Sequence, residues 1–181
     1  MTFWAGYQNF LEGKNIGLTN AAVENNQLLE RYGVDGLSLD GHSRGSLTVR
    51  NALESLVGAP GARGMASGTS VQFYGPAANA ADTDRTLGVL QNRSGMTLQQ
   101  QGASMLRYQN HMADPVGSWI GGNPPTGGSI PEGSTLFNER YRAIQGVPQT
   151  SHNCYGAGPF GCRPLWSDSP APILMPSFVK K

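Results

Sequence analysis

The stretch Ser38-Leu39-Asp40-Gly41-His42-Ser43-Arg44-Gly45-Ser46-Leu47 decides how the rest of the chain is read. From Val34 to Asp40, apolar and polar residues alternate, which predicts a strand. From Ser46 to Leu56, the apolar positions Leu47, Val49, Leu53 and Leu56 predict a helix. Ser43 therefore sits at a strand-to-helix turn, flanked at two residues' distance by Gly41 and Gly45. Without Cβ atoms, glycines there let strand and helix approach closely around a strained residue. The N–H of Arg44 then opens the helix, where backbone donors and the helix dipole favour negative charge. Taken alone, the five residues also fit an ordinary glycine-flanked turn.

Outward from this turn, residues 19–32 predict a helix, with Thr19 or Asn20 as its cap and Gly33 as a C′ glycine. Residues 1–17 read as a short helix or an irregular lead-in, and 58–68 as a glycine- and alanine-rich loop. Val71–Tyr74 predicts a second strand, 82–95 a loop with a short helix, and Ser104–Gln109 a third strand leading towards Asp114. Residues 121–133 form a long loop that could wall the site or cover it. Leu136–Ile144 predicts a helix, Gln149–Asn153 a fourth strand or its end, and the proline-punctuated tail after Pro164 a surface wrap. The expected class is α/β, with a mostly parallel sheet of about four to six strands flanked by helices.

Composition narrows the function. The chain has 181 residues, enough for one domain with a real core. A net charge of +1 leaves no basic surplus for neutralising phosphates, which argues against nucleic acid as the main partner. The 25 glycines and 12 prolines disfavour a helical bundle. No apolar run reaches the roughly 18 residues of a membrane span, and the first residues lack the basic start of a signal peptide. Cys154 and Cys162 fit a disulfide or two reduced thiols equally, and two cysteines alone make no metal site.

A serine hydroxyl is a weak nucleophile; it needs a base within hydrogen-bond reach, and the base needs an acid to hold its tautomer. Asp114, after the third strand, and His152, after the fourth, follow Ser43 in the order serine, acid, histidine. Both fall where loops leave the carboxyl ends of strands, the edge on which Ser43 sits. Pro115 biases Asp114 away from helix. His111 is the alternative base, and Asp82 or Asp84 the alternative acid. His42 adjoins Ser43 and points elsewhere; with Tyr74 and His111 it is a candidate wall of the site.

At this point the chain, over roughly 37–155, resembles the class 3 lipase group of α/β-hydrolases. The ordered matches are Gly41-His42-Ser43-Arg44-Gly45, Phe73-Tyr74-Gly75-Pro76, Asn110-His111-Met112-Ala113-Asp114-Pro115-Val116, and His152 followed by Tyr155. The resemblance implies a reduced α/β-hydrolase-like fold, with Ser43 as nucleophile, Asp114 as orienting acid and His152 as general base. It also implies an Arg44 N–H in the oxyanion site, a lipid or other ester substrate, and no metal or organic cofactor. Arg44 replaces the small or apolar residue usual after the serine, and Tyr74 is an extra residue between Phe73 and Gly75. The early strands of such a fold, which carry the second oxyanion donor, are not evident; Phe3-Trp4-Ala5-Gly6 is the candidate remnant. A thioesterase or peptidase would use the same three residues, and a binding module or adhesin cap with a degenerate turn would use none.

Val23-Glu24-Asn25-Asn26 resembles the boundary marker of contact-dependent growth inhibition proteins and related filamentous-haemagglutinin-like polymorphic toxins. That resemblance implies a pretoxin-like segment over 1–26 and a toxin domain over 27–181. It further implies presentation by a larger secreted or cell-surface protein, delivery into target bacterial cells, and a cognate immunity protein as partner.

Overall fold

The computed structural model describes residues 19–93, 106–155 and 173–174. The expectations for residues 1–17, for the start of the third strand, for Cys162 and for most of the tail lie outside the described residues. Helix α1 spans Asn20–Tyr32. Strand β1 spans Ser38–His42, helix α2 Gly45–Leu56, strand β2 Ser70–Tyr74 and helix α3 Ala80–Leu90. Strand β3 spans Arg107–Gln109, helix α4 Leu136–Ile144 and strand β4 Ile173–Leu174.

The sheet order is β1-β2-β3-β4. The first three strands are parallel, with Leu39 beside Val71 and Phe73 beside Tyr108. Among the described residues the parallel part is three strands, fewer than the mostly parallel four to six expected. The two-residue β4 pairs antiparallel with β3, so the tail contributes an edge to the sheet as well as lying after Pro164.

Alternation along the strands builds the core. Leu39, Val71, Phe73 and Tyr108 share one face and cluster with Leu47 and Leu53 of α2, Leu87 and Leu90 of α3, and Leu29 of α1. The opposite face carries Asp40, His42, Gln72 and Tyr74, in register across β1 and β2. Truncating a core leucine such as Leu53 costs about 2–5 kcal/mol, because the close-packed surroundings relax only partly.

Local chemistry sets the ends of the elements. The Thr19 side chain accepts from the Ala22 N–H, which caps α1. Gly33 is right-handed at φ −62°, not a left-handed C′ residue; a Cβ there would collide with the Met65 carbonyl. The first strand starts at Ser38, four residues later than expected, because Val34 and Asp35 are exposed and Gly36 turns the chain at φ 117°. The stretch read as a loop with a short helix is the three-turn α3, whose cap Asn79 accepts from the Asp82 N–H. No strand forms over Gln149–Asn153; Ser151–Asn153 is a single 3₁₀ turn. The expected boundary after residue 26 falls inside α1, where Ala22 is buried and the Asn26 amide lies 2.8 Å from the Ser55 hydroxyl of α2.

Candidate active site

The loops that leave the carboxyl ends of β1 and β3 converge with the 3₁₀ turn that follows α4. The first is the turn at Ser43. Its N–H donates to the Tyr74 carbonyl (3.0 Å), so the residue still belongs to the ladder while its φ is 52°. A non-glycine residue held in that region costs about 1–3 kcal/mol and persists only when its surroundings over-determine it. Here they do. The Ser46 hydroxyl donates to the Ser43 carbonyl (2.6 Å) and accepts from the Ala78 N–H (2.9 Å). The Ala77 N–H also donates to the Ser43 carbonyl (3.2 Å). Gly41 fits its expected role: a Cβ there would lie 2.9 Å from the Ser46 backbone nitrogen. Gly45 does not, since a Cβ there would meet open space. Arg44 is the cap residue of α2, exposed, with its N–H at the helix start.

The second loop supplies the acid. Asp114 is fully buried, and its Oδ1 accepts the N–H groups of Val116 (2.8 Å) and Gly117 (3.2 Å). These belong to a π-helical turn, Val116–Ile120, that begins directly after Pro115. Such turns are rare and often mark functional sites. The Tyr155 hydroxyl donates to Asp114 Oδ2 (2.7 Å) and accepts from the His111 N–H (2.7 Å). Burial alone would raise the Asp114 pKa, but the hydrogen bonds and charge interaction with His152, and the Tyr155 and Gly117 donors, hold it below the ordinary carboxylate range. Tyr155 moves the other way: burial and the Asp114 charge push its pKa well above the usual phenol value, so it remains a donor.

The third loop brings the base. His152 Nδ1 lies 2.9 Å from Asp114 Oδ2 and 3.0 Å from Oδ1, and its Nε2 lies 2.9 Å from Ser43 Oγ. A carboxylate only accepts, so Nδ1 carries the proton and Nε2 is left to accept from the serine. The structure therefore brings together Ser43, His152 and Asp114, distant in sequence, in one hydrogen-bonded series. Between them sits Gly75, at φ 51°: a Cβ there would collide with Asp114 Oδ2 and lie 2.7 Å from Tyr155 Cε2.

The alternatives fall elsewhere. Asp82 is exposed on α3 and pairs with Arg85, while Asp84 is buried against Arg93 (2.6 Å). His111 is buried with Nδ1 accepting from the Ala113 N–H (3.0 Å), and Gly128 packs on its ring, so it braces the acid loop instead of reaching Ser43. Tyr74 is half-buried on the open face beside His42, and burial raises its pKa, with Asp40 adding to the shift. His42 stacks on the His152 ring, with centroids 5.0 Å apart.

Sequence reasoning missed two supports. Ser46 carries no periodic or motif signal beyond lying one turn after Ser43. Asn123, buried in the long loop, donates to the Ala78 (2.8 Å) and Pro76 (3.1 Å) carbonyls and accepts from the Ala80 N–H (2.8 Å). That ties the 121–133 loop to the exit of β2. Of the two cysteine states open from sequence, Cys154 is disulfide-bonded; the other cysteine, Cys162, lies outside the described residues.

Among the described residues no group of three or more histidine, cysteine, aspartate or glutamate side chains is placed to hold a metal, and no helix is long and apolar enough to cross a membrane. Comparison with family models, curated proteins and solved structures finds no match to this chain.

Proposed function

We propose that the chain is a serine hydrolase with a reduced α/β-hydrolase-like core, acting on carboxylic esters of the lipid type. The observation that supports this most is the series Ser43 Oγ–His152 Nε2 and His152 Nδ1–Asp114, with both histidine contacts at 2.9 Å. The strained φ of 52° at Ser43 supports it further, since strain of that kind clusters at functional positions.

Ser43 Oγ attacks the ester carbonyl carbon as its proton passes to His152 Nε2. The carbonyl oxygen becomes an oxyanion that the Arg44 N–H, at the start of α2, stabilises as one donor. Collapse breaks the bond to the alcohol, which leaves with the proton from His152. Water then attacks the acyl-serine, giving its proton to His152, and the carboxylic acid departs as Ser43 is restored. Asp114 keeps its charge and holds the imidazole in the productive tautomer throughout.

The preference for a lipid ester over a thioester or peptide is supported by the class 3 lipase resemblance. The toxin role is supported by the resemblance of Val23-Glu24-Asn25-Asn26 to the toxin boundary marker. On that reading the chain is the tip of a larger secreted or surface-presented protein, delivered into target bacteria and neutralised by an immunity protein. The test is labelling with a fluorophosphonate probe, wild type against Ser43→Ala, followed by an ester, thioester and peptide panel. Labelling confined to the wild type is expected, with turnover on acyl esters. Equal labelling or undiminished toxicity of folded Ser43→Ala protein defeats the reading.

A further inference from the structure

We infer that His42 is a positioning residue: it fixes the general base by donating a hydrogen bond to its backbone and stacking on its ring. The inference rests on the triad reading of Ser43, His152 and Asp114.

His152 rides on the 3₁₀ turn Ser151–Asn153, outside the sheet ladder. The turn's own backbone bond, Asn153 N–H to the Thr150 carbonyl (3.0 Å), leaves the His152 carbonyl to find another donor. His42 Nε2 lies 2.7 Å from that carbonyl oxygen. A carbonyl only accepts, so Nε2 carries the proton. The same imidazole lies against the His152 ring at 5.0 Å between centroids and 30° between planes. His42 ends β1, in register with Tyr74, so its backbone is set by the sheet. The base is therefore gripped at the main chain and the ring by one residue of a rigid element, the neighbour of the nucleophile itself. One strand end thereby sets both Ser43 and the partner it must meet.

Protonation would leave the Nε2–H donor of His42 in place but put a charge beside the base. The titratable groups around it are His152, Asp114 and Tyr155, from the base turn, the acid loop and the segment after the turn, and Tyr74, its register partner on β2. Partial burial lowers the His42 pKa, the bond to the His152 carbonyl opposes this, the His152 ring adds to the lowering, and the Asp114 charge opposes it. A protonated His42 would place a second cation against the ring that becomes imidazolium in the transition state. Protonation of His42 therefore opposes the reaction.

The experiment compares full-length wild type, His42→Phe and His42→Gln by fluorophosphonate labelling rate and by the pH dependence of kcat and KM on the best ester of the panel. His42→Phe keeps a ring but no donor, and is expected to lower kcat on the order of 10- to 100-fold with KM little changed, the scale of a misplaced catalytic group. His42→Gln places an amide N–H near the former Nε2 position; it is expected to restore most of the rate and to remove the His42 proton from the acid limb. Histidine NMR titration of Ser43→Ala protein reads the same coupling without turnover: His152 resonances shift as His42 titrates, and this shift is lost in the Ser43→Ala/His42→Gln double variant. A His42→Phe protein that labels and turns over like wild type overturns the inference, as does an acid limb unchanged in His42→Gln. If wild type neither labels nor turns over, the hydrolase reading fails and the NMR arm decides: His152 resonances blind to His42 overturn the positioning role.

Discussion

Each end of the parallel sheet buries an aspartate against a basic side chain, and the two pairs are built for different work. At the amino end, Asp84 meets Arg93 at 2.6 and 3.1 Å. The Leu106 N–H donates to Asp84 (3.0 Å), Arg93 Nε to Gln91 (2.5 Å), and Gln91 to the Thr69 carbonyl (2.7 Å). That network joins α3, the segment entering β3 and the start of β2. At the carboxyl end, Asp114 is just as buried but meets a histidine, whose second nitrogen reaches a half-exposed serine. An arginine is always charged and closes its network, whereas a histidine changes charge and can pass a proton onward. Burial of a carboxylate is common to both ends; what distinguishes the candidate site is a titratable partner with an outlet to solvent.

Breaking each pair exposes the contrast most sharply. Asp114→Asn should reduce ester turnover on the order of 10⁴-fold, because the imidazole loses its productive tautomer. Ser43→Ala should reduce it at least as far. Arg93→Ala should act on stability instead, costing about 3–5 kcal/mol by taking the guanidinium partner away from the buried Asp84 carboxylate. Urea unfolding and active-site titration separate the two outcomes. If Arg93→Ala lowers kcat per folded molecule as much as Asp114→Asn does, the two ends are not functionally distinct.

The paired glycines of the carboxyl end allow a finer test. Gly75 makes room for Asp114 and Tyr155 and has φ 51°, while Gly45 faces open space. Gly75→Ala is expected to displace the acid and cut kcat on the order of 100-fold. Gly45→Ala is expected to leave kcat alone and to stabilise α2 by up to about 1 kcal/mol, as alanine outranks glycine in helices. Steady-state kinetics on both variants, beside their thermal midpoints, checks the difference.

The glycines also show what the sequence made legible. The pattern around Ser43 announced a strand-to-helix turn, and the chain order announced its partners, because those signals are local residue types at fixed places. Apolar spacing located α2, and a capping residue and a closing glycine located α1. The sequence could not tell which of Gly41 and Gly45 is sterically required, because that depends on how α2 crosses β1. Nor could it place His152 on a 3₁₀ turn instead of a strand, since three residues carry no period. The Asn123 clamp and the His42 contact join residues across the fold, and nothing near them in the chain signals either. Asp84 looked like a rival acid only because sequence order cannot say at which end of a sheet a side chain lies.

The disulfide tests how far the base depends on its loop. Cys154 lies between His152 and Tyr155, the two side chains bonded to Asp114, and it is buried in a small cluster with Ala113, beside the acid. Reduction under native conditions should therefore loosen the base more than the core, lowering kcat about tenfold with KM little changed. The far-ultraviolet dichroism is expected to stay unchanged, and reoxidation should restore the rate. Equal kcat for oxidised and thiol-blocked reduced protein would show that the hydrogen bonds alone hold His152.

The smallest expected effect is on acid stability, and it follows from the sign of the Asp114 shift. Burial works against the charged form, but the donors from His152, Tyr155 and Gly117 prevail and keep the folded pKa below the ordinary 3.8. Between the two values the unfolded chain binds a proton that the folded chain refuses. The stabilisation is therefore complete above the unfolded value and drains away as pH falls through the folded one. Asp114→Asn cannot titrate, so its stability deficit relative to wild type should narrow on acidification below about pH 4. Urea midpoints for both proteins, taken stepwise from neutral pH into that range, read the difference. Curves that stay parallel would mean that the donors hold the carboxyl group in place without favouring its charge, and the imidazolium would then lack the fixed counter-charge that the mechanism assigns to Asp114.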